Sequence, residues 1–443
     1  MQKAPRLTRS AVATLGAIFL GGLIVRGSAV IALLATASTG MMVLVVLVRL
    51  LTTSLDDPEE RRRVLWWTLV TFGIHLFLGL VVTNLASPFN FLRSDSGTYH
   101  AGATALVKHW SHGGPTPIFP GGKEGYFYTL GILYFVFGLH TAAGLALNAT
   151  LAAAVIPVLF DATTRQFGHR AARHVPPLVA VLPGLVMWTS PLLKEAGVVF
   201  LVAVAANCAI RLSHAPSPGA LVGLAISLAV LFTYRGPIAI LAAAGLVVGI
   251  MAAHGRVASG LGAGLSAAAA IAVFVLAFGL GITGYRSALK QSNLQQVGTV
   301  RQDLAGSAKS GFDSGADVST TGGALSYAPK GILNFLLGPA PWQLRSATQA
   351  AALPDVFVWW YLFPSLLRGV RTAWRRVGGG ISVLAIPAVL MIFVLAIVSG
   401  NFGLVVRERS QVVVLLLPLI AVGLAERATR RDVGPRGTYS LVS

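Results

Sequence analysis

The stretch ISVLAIPAVLMIFVLAIVS, residues 381–399, contains no charged side chain and is long enough to reach across a bilayer. A helix rises about 1.5 Å per residue, so about 20 apolar residues cover a hydrocarbon core of roughly 30 Å. Comparable runs recur from one end of the chain to the other. Of the 443 residues, 55% are hydrophobic and only 11% are charged, a balance that a water-soluble protein of this size does not need. The sequence therefore predicts an all-α, polytopic transmembrane helix bundle.

About twelve spans follow from the apolar runs and the breakers between them. Their approximate bounds are 10–26, 28–52, 65–86, 141–162, 174–191, 196–211, 217–234, 236–253, 258–283, 354–370, 379–399 and 411–425. With a cytoplasmic N-terminus, the arginine-rich loops and both termini fall on the cytoplasmic side, as the positive-inside rule requires. The formal charge of +19 is thus interpreted as a topology signal. No nucleic-acid partner is predicted, because the chain has no basic soluble module.

This topology divides the chain into four regions. They are an N-terminal two-span extension (1–64), a membrane core (65–286) with a first outer loop (87–140), a second outer loop (287–353), and C-terminal spans with a basic cytoplasmic tail (354–443). Both outer loops are expected to carry juxtamembrane helices. Tyr126 to Leu139 is assigned to one of these, because a crossing there would turn every later arginine cluster outward. The Ser/Gly/Asp-rich segment 291–321 is predicted to be a mobile loop.

Several kinds of site have no signature in this sequence. The single cysteine, Cys208, excludes an intramolecular disulfide and a cysteine-based metal site. There is no GxxxxGK[ST] phosphate loop and no HExxH motif. We therefore predict neither a metal nor a cofactor.

Asp95 is the most informative acidic residue, because it follows a span at the outer boundary. One interpretation is a helix N-cap, since Asp95 precedes an alanine-rich helical stretch. The other is a general base that takes a proton from an attacking hydroxyl group. An acid at this depth needs partners, and Arg93, Tyr99 and His100 are the candidates nearby.

Other cations and acids also adjoin at predicted outer boundaries. They are Lys123 with Glu124, Lys194 with Glu195, and Glu408 between Arg407 and Arg409, while Tyr234-Arg235 lies at an outer reversal. Lys194 and Glu195 have two interpretations: an interface anchor together with Trp188, or a pair in which Lys194 holds a lipid-linked phosphate. Arginine at the outer boundary runs against the topology bias, and an anionic headgroup or diphosphate would explain it.

A succession of short motifs resembles one family. The motifs are Ser94-Asp-Ser-Gly-Thr-Tyr-His100, the aromatic segment Gly125–Gly138, Leu147-Asn-Ala-Thr150, Arg165-Gln-Phe-Gly-His-Arg170 and the stretch Pro183–Glu195. Over about residues 65–425 the chain resembles bacterial GT-C glycosyltransferases, the polytopic enzymes related to protein mannosyltransferases. It departs from many of them in two ways. Two extra spans precede the acidic loop, and Asp95 has no adjacent acid.

The resemblance implies a membrane glycosyltransferase of cell-envelope glycan or glycolipid assembly. Its donor would be a sugar linked to polyprenyl phosphate, and a glycan, lipid or protein acceptor would approach from the outer face. Asp95 would be the general base, and Lys194 and Arg235 would bind the donor phosphate with help from Arg407 and Arg409. The full set of predicted binding residues is Arg93, Tyr99, His100, Lys123, Glu124, Lys194, Glu195, Tyr234, Arg235, Trp342, Arg407 and Arg409.

Two alternatives stay open at this point. An O-antigen-type polysaccharide polymerase or ligase also combines about a dozen spans with outer-loop arginines. A lipid-linked glycan flippase or transporter is less favoured, because transport pathways place ionisable groups near the middle of the bilayer. In this sequence the charges cluster at the ends of the spans.

Overall fold

The computed structural model describes residues 28–53, 55, 57–85, 95–119, 122–254, 294–307, 310–344 and 347–432. These residues form helices and connections, with no strand beyond an isolated bridge between Gly311 and Asn401, and the predicted all-α class is confirmed. The helices, numbered in chain order, are α1 (Ala29–Leu51), α2 (Pro58–Asn84), α3 (Ser96–His112), α4 (Glu124–Phe137), α5 (Thr141–Phe167), α6 (His169–Ala172), α7 (Val175–Val181), α8 (Pro183–Thr189), α9 (Glu195–His214), α10 (Pro218–Ala253), α11 (Leu294–Ser307), α12 (Thr321–Leu337), α13 (Ala347–Ala350), α14 (Leu353–Val377), α15 (Ser382–Val398) and α16 (Phe402–Asp432).

Seven helical segments of the described chain are long and apolar enough to cross a membrane. They are Ala29–Leu51, Pro58–Asn84, Thr141–Phe167, Glu195–His214, Pro218–Ala253, Leu353–Val398 and Phe402–Thr429. An eighth results if His169–Val181 and Pro183–Thr189, bent by 53°, form one span. The membrane-spanning class is thus supported, but the predicted total of about twelve is not confirmed. The predicted spans 10–26 and 258–283 lie outside the described residues.

The bundle has two ends, which we name by the charged residues found there. At the Asp161 end, Asp161 of α5 accepts a hydrogen bond of 2.7 Å from Arg211 of α9. At the Arg407 end, Glu195 in the first turn of α9 accepts one of 2.6 Å from Arg407 of α16. Helix α9 therefore runs from the Arg407 end to the Asp161 end.

Helix α10 doubles back at Arg235, whose dihedral angles, φ −159° and ψ 84°, are not helical. Its first arm is antiparallel to α9, because Gly223 contacts Cys208 and the Tyr234 ring lies against Gly197. Its second arm packs antiparallel to α15 and returns to the Asp161 end, beside the connection between α14 and α15. Arg235 thus lies at the tip of a helical hairpin, at the Arg407 end. The sequence predicted a reversal at this residue.

The segment Leu353–Val398 also reverses, since α14 and α15 are joined at Gly378, which has a φ of +51°. Helix α14 packs against α16 through Gly369 and Gly423. A Cβ atom on either glycine would collide with backbone of the other helix. Small residues of this kind let two helix backbones approach closely in membrane proteins.

The predicted mobile loop 291–321 contains a helix, so that prediction was wrong for residues 294–307. Leu294, Val297 and Leu304 recur at helical spacing, which gives α11 an apolar face that packs on the bundle. The prediction of a loop rested on the Ser/Gly/Asp content of the segment and not on this periodicity.

The aromatic segment after the first outer loop forms α4, which is 14 residues long. At about 1.5 Å per residue this helix measures about 21 Å, which is short for a crossing. It is not one of the candidate spans. The structure therefore agrees with a short helix at this position.

Candidate functional site

Arg407 joins two acids that lie far from it in sequence. It donates a hydrogen bond of 2.6 Å to Glu195 and another of 2.8 Å to Asp95. Asp95 directly precedes α3, and Glu195 opens α9. The predicted catalytic acid therefore lies against a predicted phosphate-binding arginine.

The ionic contacts continue from Glu195 to the tip of the α10 hairpin. A guanidinium nitrogen of Arg235 lies 3.7 Å from Glu195, and Arg235 also pairs with Glu408. The hydroxyl of Ser399 donates to the other carboxylate oxygen of Glu408 at 2.7 Å. We call the five charged residues Asp95, Glu195, Arg235, Arg407 and Glu408 the Arg407 network.

Glu408 was not among the predicted site residues, although its place between two arginines was visible in the sequence. The structure corrects the prediction for one of these arginines, Arg409. Residues two apart on a helix point about 200° apart, so Arg407 and Arg409 face opposite sides of α16. Arg409 donates to Asp355 at 2.7 Å and to Gly338 O at 2.8 Å. Arg409 is thus a structural clamp for α14 rather than part of the network.

Lys194 is buried, with 3% of its surface exposed. No hydrogen bond or ion pair connects its ammonium group to another residue in the described chain. Burial and the neighbouring Arg235 hold the pKa of Lys194 well below its usual value, although Glu195 acts in the opposite direction. A buried cation without a hydrogen-bonded counterion is costly, and an anion placed beside it would remove that cost.

The turn that carries Lys194 is held by Asn148 of α5. The amide of Asn148 donates to the carbonyls of Pro191 and Leu193, at 2.6 and 2.8 Å. Its carbonyl oxygen accepts from the Tyr126 hydroxyl at 3.2 Å. These contacts fix the backbone on which Lys194 and Glu195 are placed, and neither Asn148 nor Tyr126 was predicted as a site residue.

Two buried residues beside Arg407 have unused polar atoms. Glu195 is fully buried and its Oε1 accepts from Arg407, while its Oε2 has no hydrogen-bond partner among the described residues. Gln411, one turn further along α16, is fully buried, and neither of its side-chain polar atoms bonds to any residue that the structure describes. Buried polar groups of folded proteins are nearly always satisfied. These atoms therefore offer hydrogen-bonding capacity to a bound ligand or to water.

Asp95 stands at the N-cap position of α3, as one interpretation predicted, but its side chain makes no cap hydrogen bond and bonds to Arg407 instead. Burial would raise the pKa of Asp95. Arg407, with smaller effects from Lys123 and Lys194, outweighs burial and holds the pKa of Asp95 below its ordinary value. Asp95 is therefore ionised and, with 39% of its side chain exposed, accessible from the surface.

An apolar groove of about 510 Å³ leads to the network. Its walls come from the second arm of α10, from α11 and from α15. The lining residues are Lys123, Arg235, Pro237, Ile238, Ile240, Leu241, Gln296, Val297, Val300, Leu304, Val394, Leu395, Val398, Leu404 and Glu408. Arg235, Lys123 and Glu408 are the charged residues among them. The groove thus suits a molecule with a hydrocarbon chain and an anionic head.

Three predicted binding residues are part of the scaffold around the network. The hydroxyl of Tyr234 is 2.7 Å from Thr129 Oγ1, and His100 Nδ1 is 3.1 Å from the Tyr134 hydroxyl. Tyr99 is buried close to Asp95 and Glu195, and burial raises its pKa. These side chains pack α3 and α4 against the core.

The remaining predicted residues divide by position. Glu124 is buried at the start of α4, and the exposed Lys123 reaches the groove. Trp342 is 82% exposed in the turn Pro341–Gln343, outside the network, so its assignment to the site is not supported. Arg93 lies outside the described residues.

No family model matches the chain, and no curated protein or solved structure gives a match either. The resemblance to GT-C glycosyltransferases therefore stays a prediction. Among the described residues, no group of three or more His, Cys, Asp or Glu side chains is placed to hold a metal ion.

Proposed function

We propose that this protein is a membrane glycosyltransferase that uses a polyprenyl-phosphate-linked sugar at the Arg407 end of the bundle. The observation that carries the proposal is the apolar groove that ends at Arg235, close to the buried Lys194, which has no ion pair within the described part of the chain. A lipid phosphate is the ligand whose two parts suit these two environments. Its chain fits the apolar walls, and its phosphate fits the cations.

In the proposed reaction an acceptor hydroxyl attacks the anomeric carbon of the donor sugar. The new glycosidic bond forms as the bond from that carbon to the phosphate oxygen breaks, and polyprenyl phosphate leaves. Lys194 and Arg235 stabilise the charge that develops on the leaving phosphate. Asp95 accepts the proton of the hydroxyl.

The ion pair with Arg407 makes Asp95 a weak base in the empty site. A donor phosphate near Arg407 would share this cation and add a negative charge, so that both effects would raise the pKa of Asp95. A general base is most effective when its pKa is near the working pH. In this proposal, donor binding therefore prepares Asp95 for the reaction.

The proposal places the Arg407 end on the outer face. The arrangement of the helices supports this orientation, because arginines gather at the opposite end. Arg165 and Arg211 lie there against Asp161, and Arg376 pairs with Glu426. The positive-inside rule assigns such an end to the cytoplasm.

The test is transfer of labelled sugar from a polyprenyl-phosphate donor in membranes that contain the protein, with released polyprenyl phosphate as the second product. We expect Asp95→Asn to reduce transfer by about 100- to 10,000-fold, as for loss of a general base. Asp317→Asn is the matched control, since Asp317 is exposed and accepts from Ser319, outside the network. If a stable Asp95→Asn protein kept full transfer activity, Asp95 would not be the general base. If the unaltered protein bound lipid phosphate but transferred no sugar, the proposed transferase activity would be wrong.

A further inference from the structure

We infer that Arg301 is a positioning residue for the lipid chain: it pins α11 in place as one wall of the apolar groove. The inference rests on the proposed function for the nature of the lipid. It assigns a role in selecting the lipid chain to α11 and Arg301, for which the sequence predicted no role.

Arg301 is 1% exposed and is held by neutral groups. One guanidinium nitrogen donates to the carbonyls of Ile397 and Ser399, and another donates to the Tyr327 hydroxyl at 2.6 Å. The guanidinium carbon also lies 4.2 Å from the centre of the Tyr327 ring. Apolar contacts alone are not directional, so they would leave the position of α11 along the bundle less sharply defined. The planar fork of an arginine requires its acceptors at defined positions, so it fixes α11 relative to the end of α15.

The flank of α11 next to Arg301 faces the groove. Val297, Val300 and Leu304 line it, across from Ile238 of α10 and Val394 of α15. The position of α11 therefore sets the width of the groove. A displacement of the helix would change the contacts available to a lipid chain without touching the charged end.

Ser399 connects this anchor to the Arg407 network. Its carbonyl accepts from Arg301, and its hydroxyl donates to Glu408, which pairs with Arg235. A single residue thus sets the register between the wall of the groove and its cationic end. The distance from the phosphate to the chain-binding surface is fixed by this connection.

The experiment measures equilibrium binding of two radiolabelled probes, a long-chain polyprenyl phosphate and geranyl phosphate, to the full-length protein in lipid nanodiscs. Val300→Trp fills the groove, and we expect it to weaken the long-chain probe by about tenfold or more. The geranyl probe, which buries less chain, should change by less than about twofold. Gln302→Trp is the matched control, because it adds the same bulk to the exposed side of α11.

Arg301→Gln should show the same dependence on chain length, and Arg301→Lys should restore part of the long-chain affinity because it keeps donors for the carbonyls. Equal weakening of both probes, or no weakening, would overturn the positioning role. If the protein selects by chain length but transfers no sugar, the role of Arg301 holds and the proposed reaction is wrong. If it transfers sugar without selecting by chain length, the proposed reaction holds and the role of Arg301 is wrong.

Discussion

The two ends of the bundle each hold a buried acid bound to arginine, but they differ in what is left over. Both oxygens of Asp161 accept hydrogen bonds, from Arg165, Arg211 and Asn207. Glu195 is equally buried, yet its Oε2 has no partner, and the adjacent Lys194 has no ion pair in the described chain. At the Asp161 end the carboxylate is fully bonded, and the spare atom of that cluster is the neutral amide oxygen of Asn207. The Arg407 end instead has a charged acceptor and a cation to spare among the described residues.

The presence of unbonded charged groups distinguishes a binding site from a structural ion cluster better than the number of charged residues does. Each end would look functional if buried ionisable residues were merely counted. Unsatisfied groups in a buried setting lower stability unless something binds to them. The spare groups at the Arg407 end are therefore the best reason to place a ligand there.

The largest expected effect comes from removing an arginine at each end. Arg407→Ala leaves the buried Glu195 with Arg235 at 3.7 Å, and we expect a loss of about 3–5 kcal/mol in the free energy of unfolding. Arg211→Ala leaves Asp161 bonded to Arg165 and Asn207, and about 1–2 kcal/mol should be lost. Denaturant unfolding in detergent measures both. If the two variants lost the same free energy of unfolding, the two ends would not differ in the way described here.

Lys194→Met should reduce the affinity for polyprenyl phosphate by about ten- to a hundred-fold, the range for hydrogen bonds to a charged group. Unlike most substitutions of a buried residue, it should not lower the melting temperature, because it removes an unpaired buried charge. Lys330→Met, at an exposed lysine paired with Asp313, is the control for affinity. A loss of stability without a loss of affinity would assign Lys194 to the scaffold.

A smaller effect is expected from pH. Burial, together with Arg235, lowers the pKa of Lys194 in the empty site, and a bound phosphate would raise it, so binding takes up a proton. Affinity should be complete below the empty-site pKa and should fall above it, by at most about tenfold per pH unit, until the pKa of the bound state is passed. A titration of binding against pH tests this. Lys194→Met should bind with no such slope, and a rise of affinity with pH would contradict the assignment.

Features set by neighbouring residues were predictable from sequence. The apolar runs located the candidate spans, and Tyr234-Arg235-Gly-Pro marked the tip of a hairpin, because Pro237 cannot continue a helical hydrogen-bond ladder. Arg235, Lys194 and Asp95 were singled out in the sequence because charge is unusual at a predicted outer boundary. Hydropathy and local chemistry carry all of these signals.

The pairing of charges was not predictable in the same way. Glu195 was expected to pair with the adjacent Lys194, but it is bonded to Arg407. Asp95 bonds to the same arginine, 312 residues away in sequence. Adjacent residues on a helix point about 100° apart, so neighbours in sequence seldom pair. The same angle of about 100° per residue places Arg407 and Arg409 about 200° apart, on opposite faces of α16.

The contact of α14 with α16 at Gly369 and Gly423 has a mechanical consequence. Backbone meets backbone there, so no layer of side chains exists over which the two helices could shear past each other. Together with the hydrogen bond from Arg409 to Asp355, this holds α16, which carries Arg407, in a fixed position against α14. We expect any movement that admits a substrate to take place on the other side of the groove, in the α10 hairpin and α11.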